Sequence, residues 1–363
     1  MKYFLLLFTL IFLFALTHLF ILHIPNNSEA VIESPKGDIL IGMATGASAL
    51  GDKSFYDTQY SALVHIWQDR GVAFVVESAP ESSGYSDTFE RLIEKGVNII
   101  VASNGIHMKD EVDAMARKYP EVKFIVIDTE AKEYLPNVAA ITFRQHEGAY
   151  LVGALAAMQT KTNKIAMIGA EPTEVVVEYF MGFEAGAKKI NPKIEIILEY
   201  INKYDSKVSP YANPIVADVV ADALYKRHNV DIIFQVSGGS SSGIFNAAIE
   251  NKKYVIGSDI DQDYLAPSYI LTSLLKRIDI GIETVITKIL DGQFENRVYT
   301  MGLKDGGIAL SEMAFTRDII SQKTLDTIDN LRQQIIEGKI VVPTLLYRIN
   351  NSRMGTINSV PTL

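Results

Sequence analysis

Short apolar runs alternate along this chain with longer stretches of amphipathic spacing, the pattern of repeated βαβ units. Strands are predicted at residues 39–44, 73–77, 98–102 and 124–127, with helices at 54–69, 86–94 and 109–118 between them. A short strand at 139–143 leads into a helix at 147–159 rich in small residues, after which the alternation restarts with a strand at 164–168. The restart marks a second lobe. Its predicted elements are a helix at 174–190, a strand at 195–200, a helix at 215–226, a strand at 231–235, a helix at 242–250 and strands at 254–257 and 270–273. Helices at 276–290 and 318–337 complete it. Unbroken apolar runs such as Asn98-Ile99-Ile100-Val101 fit strands covered on both faces, so the fold class is α/β with two doubly wound lobes. Residues 345–363 have no periodicity and read as a flexible tail.

The first residues change the picture by adding a compartment. Met1-Lys2 is followed by an apolar stretch from Tyr3 to Ile24, which as a helix would reach roughly 33 Å, enough to cross a bilayer core. Ser28-Glu29-Ala30 offers the small residues that a signal peptidase reads. Residues 1–30 are therefore either a cleaved signal peptide or a retained membrane anchor, followed by a linker at 31–37. Both readings place the rest outside the cytoplasmic membrane, periplasmic or at the cell surface.

At 363 residues the chain is long enough for each lobe to bury its own core. A net charge of -9, with Lys and Arg scattered, argues against nucleic acid as a partner. The absence of cysteine removes disulfides, thiolate metal sites and thiol nucleophiles. No metal or cofactor is expected.

Ligands of open α/β folds sit outside the carboxyl ends of the strands, which directs attention to two polar clusters there. One is Gly51-Asp52-Lys53-Ser54-Phe55-Tyr56-Asp57; the other is Gly257-Ser258-Asp259-Ile260-Asp261-Gln262-Asp263. Asn104 and Asp128 end strands in the same topological position. Phe55 either closes the core as a staple or faces the cleft, where its ring could stack on a flat ligand. Gly239-Ser240-Ser241-Ser242-Gly243 matches the G-x-S-x-G elbow of serine hydrolases, but all six histidines lie upstream of Ser241, against the chain order of that triad. A turn that caps a helix and offers N–H groups to a ligand, with Ser237 and Gly238 at its start, is the better reading. Asp259, Asp261 and Asp263 resemble the start of a calcium loop, yet Tyr264 and Ile270 stand where such a loop needs glycine and glutamate. No nucleophile, base and orienting group come together, so an enzyme is not expected.

Taken together, Asp52-Lys53-Ser54-Phe55, the stretch from Phe143 to Ala157, Phe180 to Gly186, Ile256 to Gln262, Leu271 to Arg277 and Gly302 to Gly307 resemble the basic membrane protein family. The resemblance spans roughly residues 38–343. It implies a substrate-binding protein of an ABC importer with a type I periplasmic-binding-protein fold, its lobes joined by three crossovers. Lobe 1 would comprise 38–143 plus 268–303, and lobe 2 144–267 plus 304–344. It further implies a nucleoside ligand, purine favoured: Phe55 stacking on the base, Asp128 hydrogen-bonding it, Asp259 accepting the ribose hydroxyls and Lys304 reaching the sugar. The remaining expected ligand-binding residues are Asp52, Lys53, Tyr56, Asn104, Ser237, Gly238 and Asp261. Three departures accompany the resemblance: Gly46 and Tyr56 stand where the family has aspartate and asparagine, and the lipobox cysteine is missing. The expected partners are a nucleoside-like solute, ABC permease subunits and, through an uncleaved N-terminus, the membrane. A membrane-tethered sensor or regulator with the same fold is the rival reading.

Overall fold

The computed structural model describes residues 39–46, 50–79, 84–131, 133 and 135–345. The N-terminal signal or anchor, its linker and nearly all of the expected tail lie outside the described residues. Two six-stranded sheets build the molecule. The first lobe contains β1 (Leu40–Thr45), β2 (Ala73–Ser78), β3 (Ile99–Ala102), β4 (Lys123–Ile127) and β5 (Val138–Phe143), with α1 (Phe55–Arg70), α2 (Tyr85–Glu94) and α3 (Gly105–Lys118) between them. The second contains β6 (Lys164–Gly169), β7 (Glu195–Tyr200), β8 (Ile232–Val236), β9 (Tyr254–Asp259) and β10 (Ile270–Lys276). Its helices are α4 (Gln145–Gln159), α5 (Glu174–Ile190), α6 (Pro214–Arg227) and α7 (Ser241–Asn251). The chain then returns through α8 (Ile278–Leu290) to β11 (Val298–Met301) of the first sheet, and again to β12 (Ile308–Leu310) of the second, ending in α9 (Gln322–Ile336).

The strand orders are β2-β1-β3-β4-β5-β11 and β7-β6-β8-β9-β10-β12. The second repeats the first. Every pairing is parallel except that of β12 with β10. β3 is buried at all four positions and β8 at all five, as strands covered by helices on both faces must be. In each sheet the order reverses beside the first strand, which opens a crevice at the carboxyl ends of β1 and β3 and of β6 and β8.

The small residues of α4 have a packing reason. A side chain at Gly153 would collide with the backbone of Phe183 on α5, and one at Gly186 with that of Tyr150 on α4, so the two helices meet backbone to backbone.

Several boundaries differ from the sequence reading. The stretch expected to open lobe 1's second segment at 268 instead forms β10, which pairs with β9 and β12, so the chain leaves the second sheet only after Lys276. Lys276 was expected to start a helix; it pairs with Ile308 and extends the strand, and α8 begins at Ile278. The last helix begins at Gln322 rather than 318, where Ser321 accepts the N–H of Thr324 at 3.1 Å and caps it. β11 and β12 carry too few apolar residues in a row to announce themselves.

Candidate ligand-binding site

The helix that follows β1 is entered in an unusual way. Ser54 occupies the N-cap position of α1, a place where its hydroxyl would ordinarily accept a backbone N–H. Instead that hydroxyl donates to Asp259 Oδ2 on the other lobe, at 2.5 Å. Asp52 takes over the capping, accepting the N–H groups of Ser54 at 2.9 Å, Tyr56 at 2.9 Å and Asp57 at 3.1 Å. Phe55 and Tyr56 are thereby fixed on the first turn of α1, Phe55 against Lys276 of lobe 2 and the Tyr56 hydroxyl against Gly46 of lobe 1.

Between the lobes lies a cavity of about 680 Å³, part of it open to solvent. Asp52, Phe55, Tyr56, Asn104 and Asp128 line it from lobe 1, and Ser237, Gly238 and Asp259 from lobe 2. Eight of the eleven expected residues thus share one cavity. Lys53, Asp261 and Lys304 do not line it. The Lys53 side chain is exposed, and its backbone is what is used: the N–H donates to Asp57 Oδ2 at 2.9 Å and the carbonyl accepts from Gln262 Nε2 across the lobes at 2.9 Å. Asp261 is exposed too, its carboxylate accepting the N–H of Asp263 at 3.0 Å within a turn. Lys304 is exposed at the third crossing, so the expected reach to a sugar is corrected: the lysine of the cavity is Lys276.

Lys276 is 1 % exposed, and its ammonium sits 2.5 Å from the Asp128 carboxylate of the opposite lobe. The ammonium lies against both carboxylate oxygens, 2.5 Å from Oδ1 and donating a hydrogen bond to Oδ2 at 2.5 Å. The same ammonium stands 5.5 Å from the ring centroid of Phe55, 5.2 Å from that of Phe143 and 6.0 Å from that of Tyr179, a cation–π cage around a buried charge. Asp259 lies beside it, also accepting Tyr179 Oη at 3.5 Å. Burial pushes the Asp259 carboxyl above the ordinary range, and the Lys276 ammonium and the Ser54 hydroxyl pull it back. Asp52 is pushed up to about 6 by burial, against its three backbone donors. Tyr179 and Tyr211 are raised above the usual phenol value, both by burial first.

Sequence reasoning missed Lys276, Tyr179, Tyr211, His107 and Thr173, all of which line the cavity. Lys276 had a usable signal, since it is the charged end of the strand-forming stretch Ile270 to Leu275. Tyr211 had none, as it sits in the irregular segment before α6. Among the described residues no group of histidines and carboxylates could hold a metal ion.

Two α/β lobes that close on a polar cavity lined by aromatic rings define a two-lobed solute-binding protein. The fold agrees: a crystal structure of ABC transporter solute-binding proteins from Aeropyrum pernix K1 superposes with a TM-score of 0.77 at 23% identity, covering 87% of this chain and 96% of that one. A family model described as "ABC transporter substrate-binding protein PnrA-like" matches residues 40–345, and the chain belongs to that family. Among its relatives are the ABC transporter nucleoside-binding protein BmpA of Lactococcus lactis, 27% identical with 85% of this chain and 90% of that protein covered, and basic membrane protein A2 of Borrelia garinii, 30% identical with 89% and 93% covered. The resemblance drawn from the sequence motifs therefore holds, and the chain is a substrate-binding protein of the ABC transporter class, a family of solute-binding proteins and not of enzymes.

Proposed function

We propose that this protein is the extracytoplasmic receptor of an ABC importer and that it takes a nucleoside, purine favoured, into the cavity between its lobes. The observation that carries the reading is the convergence of Phe55 and Tyr211, one ring from each lobe, with Asp259, Asp128 and Lys276 around a single cavity. Flat rings suit a base, because aromatic faces stack on planar heterocycles. A carboxylate surrounded by hydroxyl donors suits a ribose: the bond that Asp259 now takes from Ser54 Oγ at 2.5 Å is of the kind a sugar hydroxyl would supply. The name of the Lactococcus lactis relative points the same way.

In this reading no bond is broken. The two sheets with their three connecting crossings correspond to a type I periplasmic-binding-protein fold, and ligand shifts an open–closed equilibrium only as far as it prefers the closed form. The closed face then meets the permease subunits, and the apolar N-terminus carries the protein out of the cytoplasm. Calorimetry of the full-length protein against adenosine, guanosine, inosine, cytidine and uridine tests it. Saturable heat with purine nucleosides is expected, and no heat with any of the five would remove the ligand assignment.

A further inference from the structure

Tyr56 stands on the lobe 1 wall of the cavity with 5 % of its surface exposed. Its backbone N–H is held by Asp52 Oδ2 at 2.9 Å, and its ring meets that of Phe55 edge to face at a centroid distance of 5.4 Å, so the phenol has little freedom. The phenol oxygen accepts the N–H of Gly46 at 3.3 Å, and Asn104 lines the same cavity. Burial pushes this phenol up to about 12, which keeps it protonated throughout the neutral range. A phenol oxygen that accepts a backbone N–H keeps its own O–H to offer, and Tyr56 is among the residues that line the cavity.

Gly46 makes the position possible. A Cβ at residue 46 would stand 2.9 Å from Tyr56 Oη and 3.8 Å from Tyr85 Oη, too close to the first for the hydroxyl to stay in place. The glycine at the end of β1 and the tyrosine on α1 are therefore one device, a backbone N–H and a vacant Cβ site that together seat a hydroxyl.

We propose that the Tyr56 hydroxyl is a specificity-determining donor, reading a ring nitrogen on the edge of the flat ligand held at Phe55, and that Gly46 reserves the space for it. The inference rests on the nucleoside reading and adds to it a particular contact. A donor of this kind rewards ligands with an acceptor at the matching edge and leaves those without one facing an unpaired buried hydroxyl.

The test is calorimetry on the full-length protein and its Tyr56→Phe, Gly46→Ala and double variants, with the tightest-binding purine nucleoside and its 1-, 3- and 7-deaza analogues. Tyr56→Phe is expected to weaken the parent nucleoside by roughly five- to tenfold, the range of one neutral hydrogen bond. One deaza analogue should lose the same factor against wild type and nothing further against Tyr56→Phe. Gly46→Ala should weaken binding in the wild-type background and much less in the Tyr56→Phe background. Equal affinity of wild type and Tyr56→Phe, or analogue losses that ignore the variant, overturns the proposal. A wild type that binds no purine nucleoside overturns the nucleoside reading itself, an outcome distinct from a wild type that binds and is indifferent to Tyr56.

Discussion

An aspartate with the same unusual backbone stands at the carboxyl end of the fourth strand of each lobe, Asp128 directly after β4 and Asp259 as the last residue of β9: both have φ 69, the left-handed region in which aspartate is one of the few tolerated side chains. The topology makes them equivalents, and both line the cavity. Their partners differ. Asp128 meets an ammonium, Lys276, at 2.5 Å, whereas Asp259 meets two hydroxyls, Ser54 Oγ at 2.5 Å and Tyr179 Oη at 3.5 Å. The strands beside them diverge as well: β5 ends in Phe143 where β10 ends in Lys276. A repeated architecture has thus been given one carboxylate that takes a charged hydrogen bond across the lobes and one whose hydrogen-bond partners are neutral hydroxyls, with the same ammonium acting on it through space. Position in the fold brings a residue to the site, and the partner sets what it does there.

The largest effect should come from breaking the compensated pair. Lys276→Met leaves Asp128 buried beside a neutral side chain, and loss of one partner from a buried pair costs about 3–5 kcal/mol. Urea unfolding of Lys276→Met and Asp128→Asn should both show that loss. Stability within about 1 kcal/mol of wild type in either variant would mean that the pair is solvated and does not join the lobes.

Asp259→Asn should behave in the opposite way. Its hydrogen-bond partners are neutral and Lys276 keeps Asp128, so the folded state changes less than on loss of either member of the pair, but a ligand that donates two hydroxyls to a carboxylate loses charge-assisted bonds worth about 1.5–3 kcal/mol each. Binding of a nucleoside should weaken by at least about a hundredfold while the unfolding midpoint stays close to wild type. Reversed results, with Asp128→Asn harming only binding and Asp259→Asn harming only stability, would exchange the two assignments.

This division also accounts for what could be read in advance. Asp52, Asn104, Asp128 and Asp259 were legible because the carboxyl end of a strand is a position that hydrophobic periodicity locates without knowledge of partners. Lys276 carried a signal as the charged end of its strand, but the strand passes into α8 with a single residue between, and the merging of strand and helix patterns there obscured it. The lobe boundary at 268 rests on the resemblance, whereas the hydrophobic pattern alone sets the strand at 270–273 with the second lobe. Lys304 was placed by resemblance alone, and a lysine in a Gly-rich crossing says nothing by itself about which way it points. Tyr179 and Tyr211 come from the middle of a helix and from an irregular segment, and only tertiary packing turns them toward the cavity. The exchange of capping roles between Ser54 and Asp52 was hidden for a related reason: Ser54 is drawn away by Asp259, a residue far along the chain on the other lobe.

That exchange offers the finest comparison between the lobes. In lobe 2 the helix after the first strand is capped in the ordinary way, Thr173 Oγ1 accepting the N–H of Val176 at 3.3 Å, with no charge involved. In lobe 1 the corresponding cap is the carboxylate of Asp52, whose burial lifts it from 3.8 to about 6. Between about pH 4 and pH 6 the folded chain holds a proton that the unfolded chain has already released, so stability falls as pH rises through that window and is flat above it. A shift of this size corresponds to at most about 3 kcal/mol. Asp52→Asn keeps a side-chain oxygen for capping but cannot titrate, so its Tm between pH 4 and pH 6 should lack the part of the slope that wild type owes to Asp52, while Thr173→Ala should leave that slope unchanged. Identical Tm profiles for wild type and Asp52→Asn across that interval would assign the titration to another group and leave the two caps differing in geometry alone.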